Sequence, residues 1–234
     1  MRVGFVIPVL NNFKGAAELI GSIKTAYEPL IYIEEQWRNK KPLAAAWNDG
    51  FERAVADGCE YIFILNDDIL FAPYSVDKAI SEYERLETDK VVLISCSNIL
   101  SELDDPYSIL KLEADDKPVD VAEHPNYSCF MVKRDFFDKV GRFDENFVPA
   151  WCEDQDSHQR IILLGYKAII TTASPCIHFG RVSTKLVGND DSSQSVSYFT
   201  KKWGSHNPNP PQAYPTPYNN PDLTPKDWIA NYGQ

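Results

Sequence analysis

Neither a P-loop nor a GxGxxG occurs anywhere in the 234 residues, and the turn after the first apolar segment reads Pro8-Val9-Leu10-Asn11-Asn12. Kinase and dehydrogenase chemistry is thereby disfavoured, because such sites bring backbone N–H groups onto phosphates through closely approaching glycines. Positive charge is also scarce. With 23 Lys and Arg against 34 Asp and Glu, the formal net charge is -11, which argues against nucleic-acid binding or docking on an anionic membrane. A phosphate ligand is still accessible to such a chain through a bridging metal. The five cysteines (Cys59, Cys96, Cys129, Cys152 and Cys176) are odd in number, scattered and without CxxC spacing, so reduced, buried thiols in a cytoplasmic protein are expected. The apolar run after Arg2 is broken at Pro8, too short for a membrane span and without a signal-peptide cleavage pattern. No internal repeat is visible.

The length fits one sizeable core. Val3 to Ile7 reads as a buried strand, and Ala16, Leu19, Ile20 and Ile23 share one helical face. Leu30 to Ile33 reads as a second strand, ending in Glu34 and Glu35. Leu43, Trp47, Phe51, Ala54 and Val55 recur at helical spacing before Gly58, and the strand Tyr61 to Leu65 follows. This is a βαβαβ start. Ser75 is placed to cap a helix bearing Ala79, Ile80, Tyr83 and Leu86, ahead of a Val91 to Ile94 strand. Residues 101 to 126 read as a loop-rich excursion, followed by a Cys129 to Val132 strand. A last helix is expected from the Glu153 acidic cluster to Gly165, then an Ala168 to Thr171 strand and a segment ending in His178. From Asn207 onward, seven prolines alternate with Asn, Tyr and Trp, which excludes a regular helix or central strand and leaves a flexible extension or an ordered strap, the aromatics favouring the strap.

Tyr61-Ile62-Phe63-Ile64-Leu65-Asn66-Asp67-Asp68 is an unbroken apolar strand that stops in an amide and two carboxylates. A strand apolar on both faces belongs inside a sheet covered on both sides, and in such sheets ligands collect beyond the carboxyl ends of the strands. Two acids there offer hard oxygen ligands for a divalent cation. The competing reading is that they cap the helix after Tyr74. Glu153, Asp154 and Asp156 likewise have two readings, as helix-dipole partners or as reactive carboxylates.

In these residues the chain resembles the GT-A nucleotide-sugar glycosyltransferases, in particular the inverting family two enzymes, whose DXD motif ends the equivalent strand. Ile7-Pro8 and Asn11 are similar to the family's first strand and nucleotide loop, and Ala44-Ala45-Ala46-Trp47-Asn48-Asp49-Gly50 to its small-residue helix. Gly141-Arg142-Phe143-Asp144-Glu145 resembles the GGFDE element, and Glu153-Asp154-Gln155-Asp156 the EDxD segment. The resemblance covers roughly residues 1 to 182 and implies an α/β fold with a mostly parallel sheet. It implies one GT-A domain over residues 1–206, with a nucleotide-binding half (1–100) and an acceptor half (101–206), and a strap over 207–234. It further implies Asp68 and His178 as ligands of Mn2+ or Mg2+, with the imidazole favouring manganese. Pro8, Asn11, Glu34, Glu35, Asn48, Asn66, Asp67, Arg181 and Lys185 would bind the donor, expected to be a UDP-sugar. Asp154 would be the general base, with Glu153 second in line, and Trp151 would either stack on an acceptor sugar or fill core. Asn66 stands where the motif often has Asp, so it contributes a hydrogen bond and no charge.

Two rivals remain on the residues alone. A nucleotidyltransferase also places acidic metal ligands on an α/β sheet, although it would want the missing glycine-rich loop. A non-catalytic nucleotide-sugar-binding module would keep the fold and lose turnover.

Overall fold

A computed structural model describes residues 1–36, 41–114, 119–123, 125–180, 182 and 192–203. The expected donor contacts Arg181 and Lys185 and the strap over 207–234 lie outside the described residues. Among the described residues, eight strands form one mixed sheet in the order β2-β1-β3-β7-β5-β8-β4, with β6 paired to β8 off this path. They are β1 (Arg2–Val9), β2 (Glu28–Glu35), β3 (Tyr61–Leu65), β4 (Ile69–Phe71), β5 (Val91–Asn98), β6 (Val121–Ala122), β7 (Cys129–Lys133) and β8 (Lys167–His178). β1 pairs in parallel with β2 and β3, and β5 with β8, while β7, β4 and β6 run the other way. The carboxyl ends of β1, β2, β3, β5 and β8 therefore share one edge, and that edge carries the site.

Each face of the sheet has its own core. Val3, Phe5, Ile7 and Val9 of β1 and Tyr61, Phe63 and Leu65 of β3 point to one side. There they meet Ala16 and Leu19 of α1 (Phe13–Ser22) and Val76, Ala79, Ile80 and Tyr83 of α3 (Ser75–Leu86). Val6, Ile62 and Ile64 point to the other side, against α2 (Leu43–Ala56), α4 (Phe136–Val140) and α5 (Glu153–Leu163). This double covering is the physical reason for the unbroken Tyr61 to Leu65 run. Full burial of each such Ile or Phe stabilises by about 1.5–3 kcal/mol.

The expected helix stops hold. Gly58 at φ 81° and Gly165 at φ 75° take left-handed turns. After them Cys59 N donates to Ala54 O and Tyr166 N to Ile161 O, both helix-ending bonds.

Other expectations need correction. Pro8 is buried inside β1, opposite Glu34, so the loop begins at Leu10 rather than at Pro8. Ser75 is not a cap: Tyr74 holds that position, and the Ser75 hydroxyl donates to Pro175 O at 2.5 Å. The 101–126 excursion contains 3-10 turns at Leu100–Glu102 and Pro106–Lys111 and the two-residue β6. β8 runs unbroken to His178, and the helix starting at Glu153 is not the last, because α6 (Ser193–Trp203) follows.

Helix α2 lies so close to β1 that a Cβ on Gly50 would sit 2.2 Å from Val6 Cγ1. Gly50→Ala is therefore expected to lower stability by about 1–3 kcal/mol through overpacking, read as a lower urea midpoint at unchanged slope.

Candidate active site at the carboxyl edge of the sheet

Asn66 continues β3 by one rung, its N–H donating to Ser128 O at 2.8 Å. The chain then turns through Asp67 and Asp68 into β4, which pairs antiparallel with the end of β8 so that Ile69 stands opposite His178. That register puts the two side chains together. Phe179 N donates to Asp68 O at 3.1 Å, and Asp68 Oδ1 lies 3.2 Å from His178 Nε2. Asn66 Nδ2 approaches the same ring nitrogen at 3.4 Å. The backbone of His178 is fixed from β5, its N–H donating to Asn98 Oδ1 at 3.1 Å.

Asp67 is buried and tied to the first loop. Asn12 Nδ2 donates to Asp67 O at 3.1 Å, while Asn12 Oδ1 accepts from Gly15 N and caps α1. Gly15 has no room for a side chain, since its Cβ would fall 2.4 Å from Asp67 O. The reading of Asp67 and Asp68 as caps of the helix after Tyr74 does not hold, because that helix has no side-chain cap.

Across the edge, the chain enters α5 through two consecutive left-handed residues, Trp151 at φ 80° and Cys152 at φ 70°. Non-glycine residues hold such a conformation only when their surroundings enforce it. The acids that follow divide by environment. Asp156 is fully buried and pairs with Arg160 and Lys202, so it belongs to the scaffold. Glu153 is buried with Oε2 lacking any partner among the described residues. Asp154 is half-buried, and its Oδ1 accepts from Gln155 N at 2.7 Å, so the helix-terminus role expected for this cluster is genuine in part. Burial, together with the neighbouring Asp154 charge, pushes the Glu153 carboxyl well above the ordinary glutamate range. Burial also raises Asp154, against the backbone N–H bonds that lower it. The two carboxyls interact and titrate as a pair, both displaced upward by burial.

One cleft of about 780 Å³ gathers Asn66 and His178 on one side and Trp151, Glu153 and Asp154 on the other. Asp68 lines a second, smaller cavity of about 210 Å³ with Asn12, Lys14 and Tyr107. The Asp68–His178 pair thus stands between the two spaces. Among the described residues no group of three His, Cys, Asp or Glu side chains is placed to hold a metal ion. The donor set is nevertheless a fitting partial one: a carboxylate oxygen and an imidazole nitrogen 3.2 Å apart, close to the ~3 Å between adjacent donors on one ion with bonds of about 2.1 Å. The rest of such a shell comes from water and ligand oxygens.

Other expected site residues lie elsewhere. Asn48 is a correction. It is fully buried, with Nδ2 donating to Phe143 O and Glu145 Oε1 and Oδ1 accepting from Phe143 N, so its amide pins the Gly141–Glu145 loop and faces no ligand. Glu34 is buried in ion pairs with Arg53 and Lys41, Glu35 is half-buried at the end of β2, and neither lines the cleft. Asn11 has a buried Oδ1 without a partner among the described residues. Trp151 packs against the small core of Phe147, Cys152, Phe199 and Trp203 and also lines the cleft. Trp47 and Tyr127, which the sequence reading did not place here, complete the wall. Trp47 sits in the small-residue helix motif, and that was its signal; Tyr127 precedes β7 and carried none.

The fold is that of the GT-A glycosyltransferases. GalNAc-T7, crystallised with UDP, GalNAc and Mn2+, superposes with a TM-score of 0.61 at 12% identity, over 88% of this chain and 48% of that one. A Drosophila β1,4-galactosyltransferase 7 variant, crystallised with manganese, UDP-Gal and xylobiose, gives a TM-score of 0.52 at 16% identity, over 79% and 73% of the two chains. In sequence, the chain is similar to a galactofuranosyl glycosyltransferase of Leishmania donovani, 24% identical over 210 residues. That match takes in 71% of this chain and 48% of the relative, so the chain spans about half the relative's length. No family model matches.

Glu153 supplies a pH test. Its raised value means that the folded state holds the proton more tightly than the unfolded chain does. The stability contributed is present below the unfolded value of about 4.3 and is lost as pH rises through the folded value. Glu153→Gln is expected to melt higher than wild type at pH 8, by about 2–4 °C for each kcal/mol relieved, with the gap closing toward pH 4. Melting curves across that range check it.

Proposed function

We propose that this chain is a metal-dependent, inverting glycosyltransferase that moves a sugar from a nucleoside diphosphate donor, a UDP-sugar, to an acceptor hydroxyl. The single observation that carries the reading is the cleft itself, with His178, paired to Asp68 behind it, on one wall and the Glu153–Asp154 pair on the other. Asp68 and His178 would hold Mn2+ or Mg2+, which when bound neutralises charge gathering on the departing diphosphate.

The chain's own residues do the rest. Asn66 offers its amide to a ribose hydroxyl, while Asn11 presents an unpaired acceptor beside the first loop. Trp151 gives the acceptor an aromatic face. Asp154, as the carboxylate, takes the proton of the acceptor hydroxyl as that oxygen bonds to the anomeric carbon and the bond to diphosphate breaks. Proton and leaving group depart on opposite sides of the sugar, and single displacement with inversion follows. Glu153, raised by burial and by the neighbouring Asp154 charge, favours a single negative charge on the pair. The expected cytoplasmic placement rests on five free and buried thiols; no described helix is long and apolar enough to cross a membrane.

The melting temperature is expected to rise with Mn2+ plus UDP and to stay flat with UDP alone, because only a ligand of the folded state stabilises it. Asp68→Asn should abolish that rise. Asp154→Asn should keep it and lose transfer by about 10²–10⁴-fold, measured as UDP release from a panel of UDP-hexoses. Pyrophosphate released from a nucleoside triphosphate would make the chain a nucleotidyltransferase, and Mn2+-dependent binding without turnover a binding module.

A further inference from the structure

Helix α6 begins beyond the segment that resembles any family motif, yet it is fastened to both ends of the turn that carries the acid pair. At the near end the Ser195 hydroxyl reaches Ala150 O at 2.7 Å and Val148 O at 3.3 Å. At the far end Lys202 Nζ, which is 1% exposed, lies 2.6 Å from both Asp144 Oδ2 and Asp156 Oδ1. Trp203 Nε1 donates to the same Asp156 oxygen at 3.0 Å, and Tyr198 donates to Asp144 at 2.9 Å. Between these points Phe199 and Trp203 pack with Phe147 and Cys152 in a small separate core. The left-handed pair Trp151–Cys152 is enclosed by these contacts.

The charges balance locally. Asp144 and Asp156 are buried with Lys202 and Arg160, two carboxylates against two cations. Burial alone would raise the Asp144 carboxyl, but the Lys202 ammonium holds it below its ordinary value. A lysine so deep is costly unless both carboxylates face it, and Asp144 and Asp156 come from two different stretches, the Gly141–Glu145 loop and α5. Lys202 therefore fixes the position of one relative to the other. The residues between them are those that set Trp151, Glu153 and Asp154 in the cleft.

We propose that α6 is a brace for the acid turn and that Lys202 is a positioning residue for Asp154, acting through Asp156 and touching no substrate. The inference rests on the transferase reading above. A carboxylate displaced by a fraction of an ångström loses its line to the acceptor proton, while the Asp68–His178 half of the site, anchored by β4, β5 and β8, is untouched. The brace thus separates turnover from donor binding.

The test uses the full chain with Lys202→Met, Lys202→Arg and Ser195→Ala. Two quantities are read: the Mn2+–UDP dissociation constant by calorimetry, and kcat and KM for UDP release from the UDP-hexose that wild type turns over fastest. The expected result is a loss in kcat of about tenfold or more for Lys202→Met, with donor KM and the Mn2+–UDP constant within about twofold of wild type. Lys202→Arg should recover most of the loss. Should Lys202→Met fail to fold, Ser195→Ala, which deletes one hydroxyl, decides alone: a lower kcat at unchanged Mn2+–UDP affinity supports the brace. Unchanged kcat in the folded variants, or a parallel fall in kcat and Mn2+–UDP affinity, overturns it. Wild type that binds Mn2+–UDP but releases no UDP from any UDP-hexose overturns the transferase reading, and the proposal with it.

Discussion

Everything at the carboxyl edge depends on a three-residue strand. β4 is short, but its antiparallel register with the end of β8 sets Ile69 opposite His178. Asp68, the residue before it, then has one place to put its carboxylate. A shift of that register by one position would turn the imidazole to the other face of the sheet and leave two buried acids without it. The Phe179–Asp68 backbone bond and the bond from His178 N–H to the Asn98 side chain guard against such a slip from either side. The strand is fully apolar and fully buried, and the core behind it specifies the register.

The opposite wall is built on a different principle. There the backbone is held in unfavourable conformations at Trp151 and Cys152, and one buried carboxyl oxygen, Glu153 Oε2, goes without a partner among the described residues. Both features cost stability. The double aromatic and ionic fastening by α6, together with Leu43 N donating to Pro149 O at 2.9 Å, offsets that cost. One wall is a rigid ladder, and the other is a strained loop under restraint.

Much of this was legible in the chain itself. Apolar runs on both faces, Gly58 and Gly165 after helical repeats, and two acids at the end of a saturated strand identify the sheet, its helices and its active edge. β4 was not legible, because three apolar residues after two acids carry no periodicity of their own and become a strand only through β8. Nor was the role of Asn48. An amide in a small-residue helix reads the same whether it faces a ligand or a loop carbonyl, and only the position of Phe143, 95 residues away, decides. The ion pairs of Glu34 were hidden for the same reason, since its partners Arg53 and Lys41 come from beyond the strand. Lys202 gave no signal at all: a lysine near the end of an amphipathic helix reads as solvated, and its burial follows from two distant carboxylates.

At the far end of the sheet, β2 has β1 as its only described neighbour, and its Ile31 and Ile33 side chains are exposed. Such a border is a template on which another molecule of the same protein can lay its own strand. Two copies meeting there head to tail would set Glu28 of each against Glu35 of the other, with Pro29 withholding an amide from the shared ladder. Like charges set opposite each other in this way would oppose such a pairing.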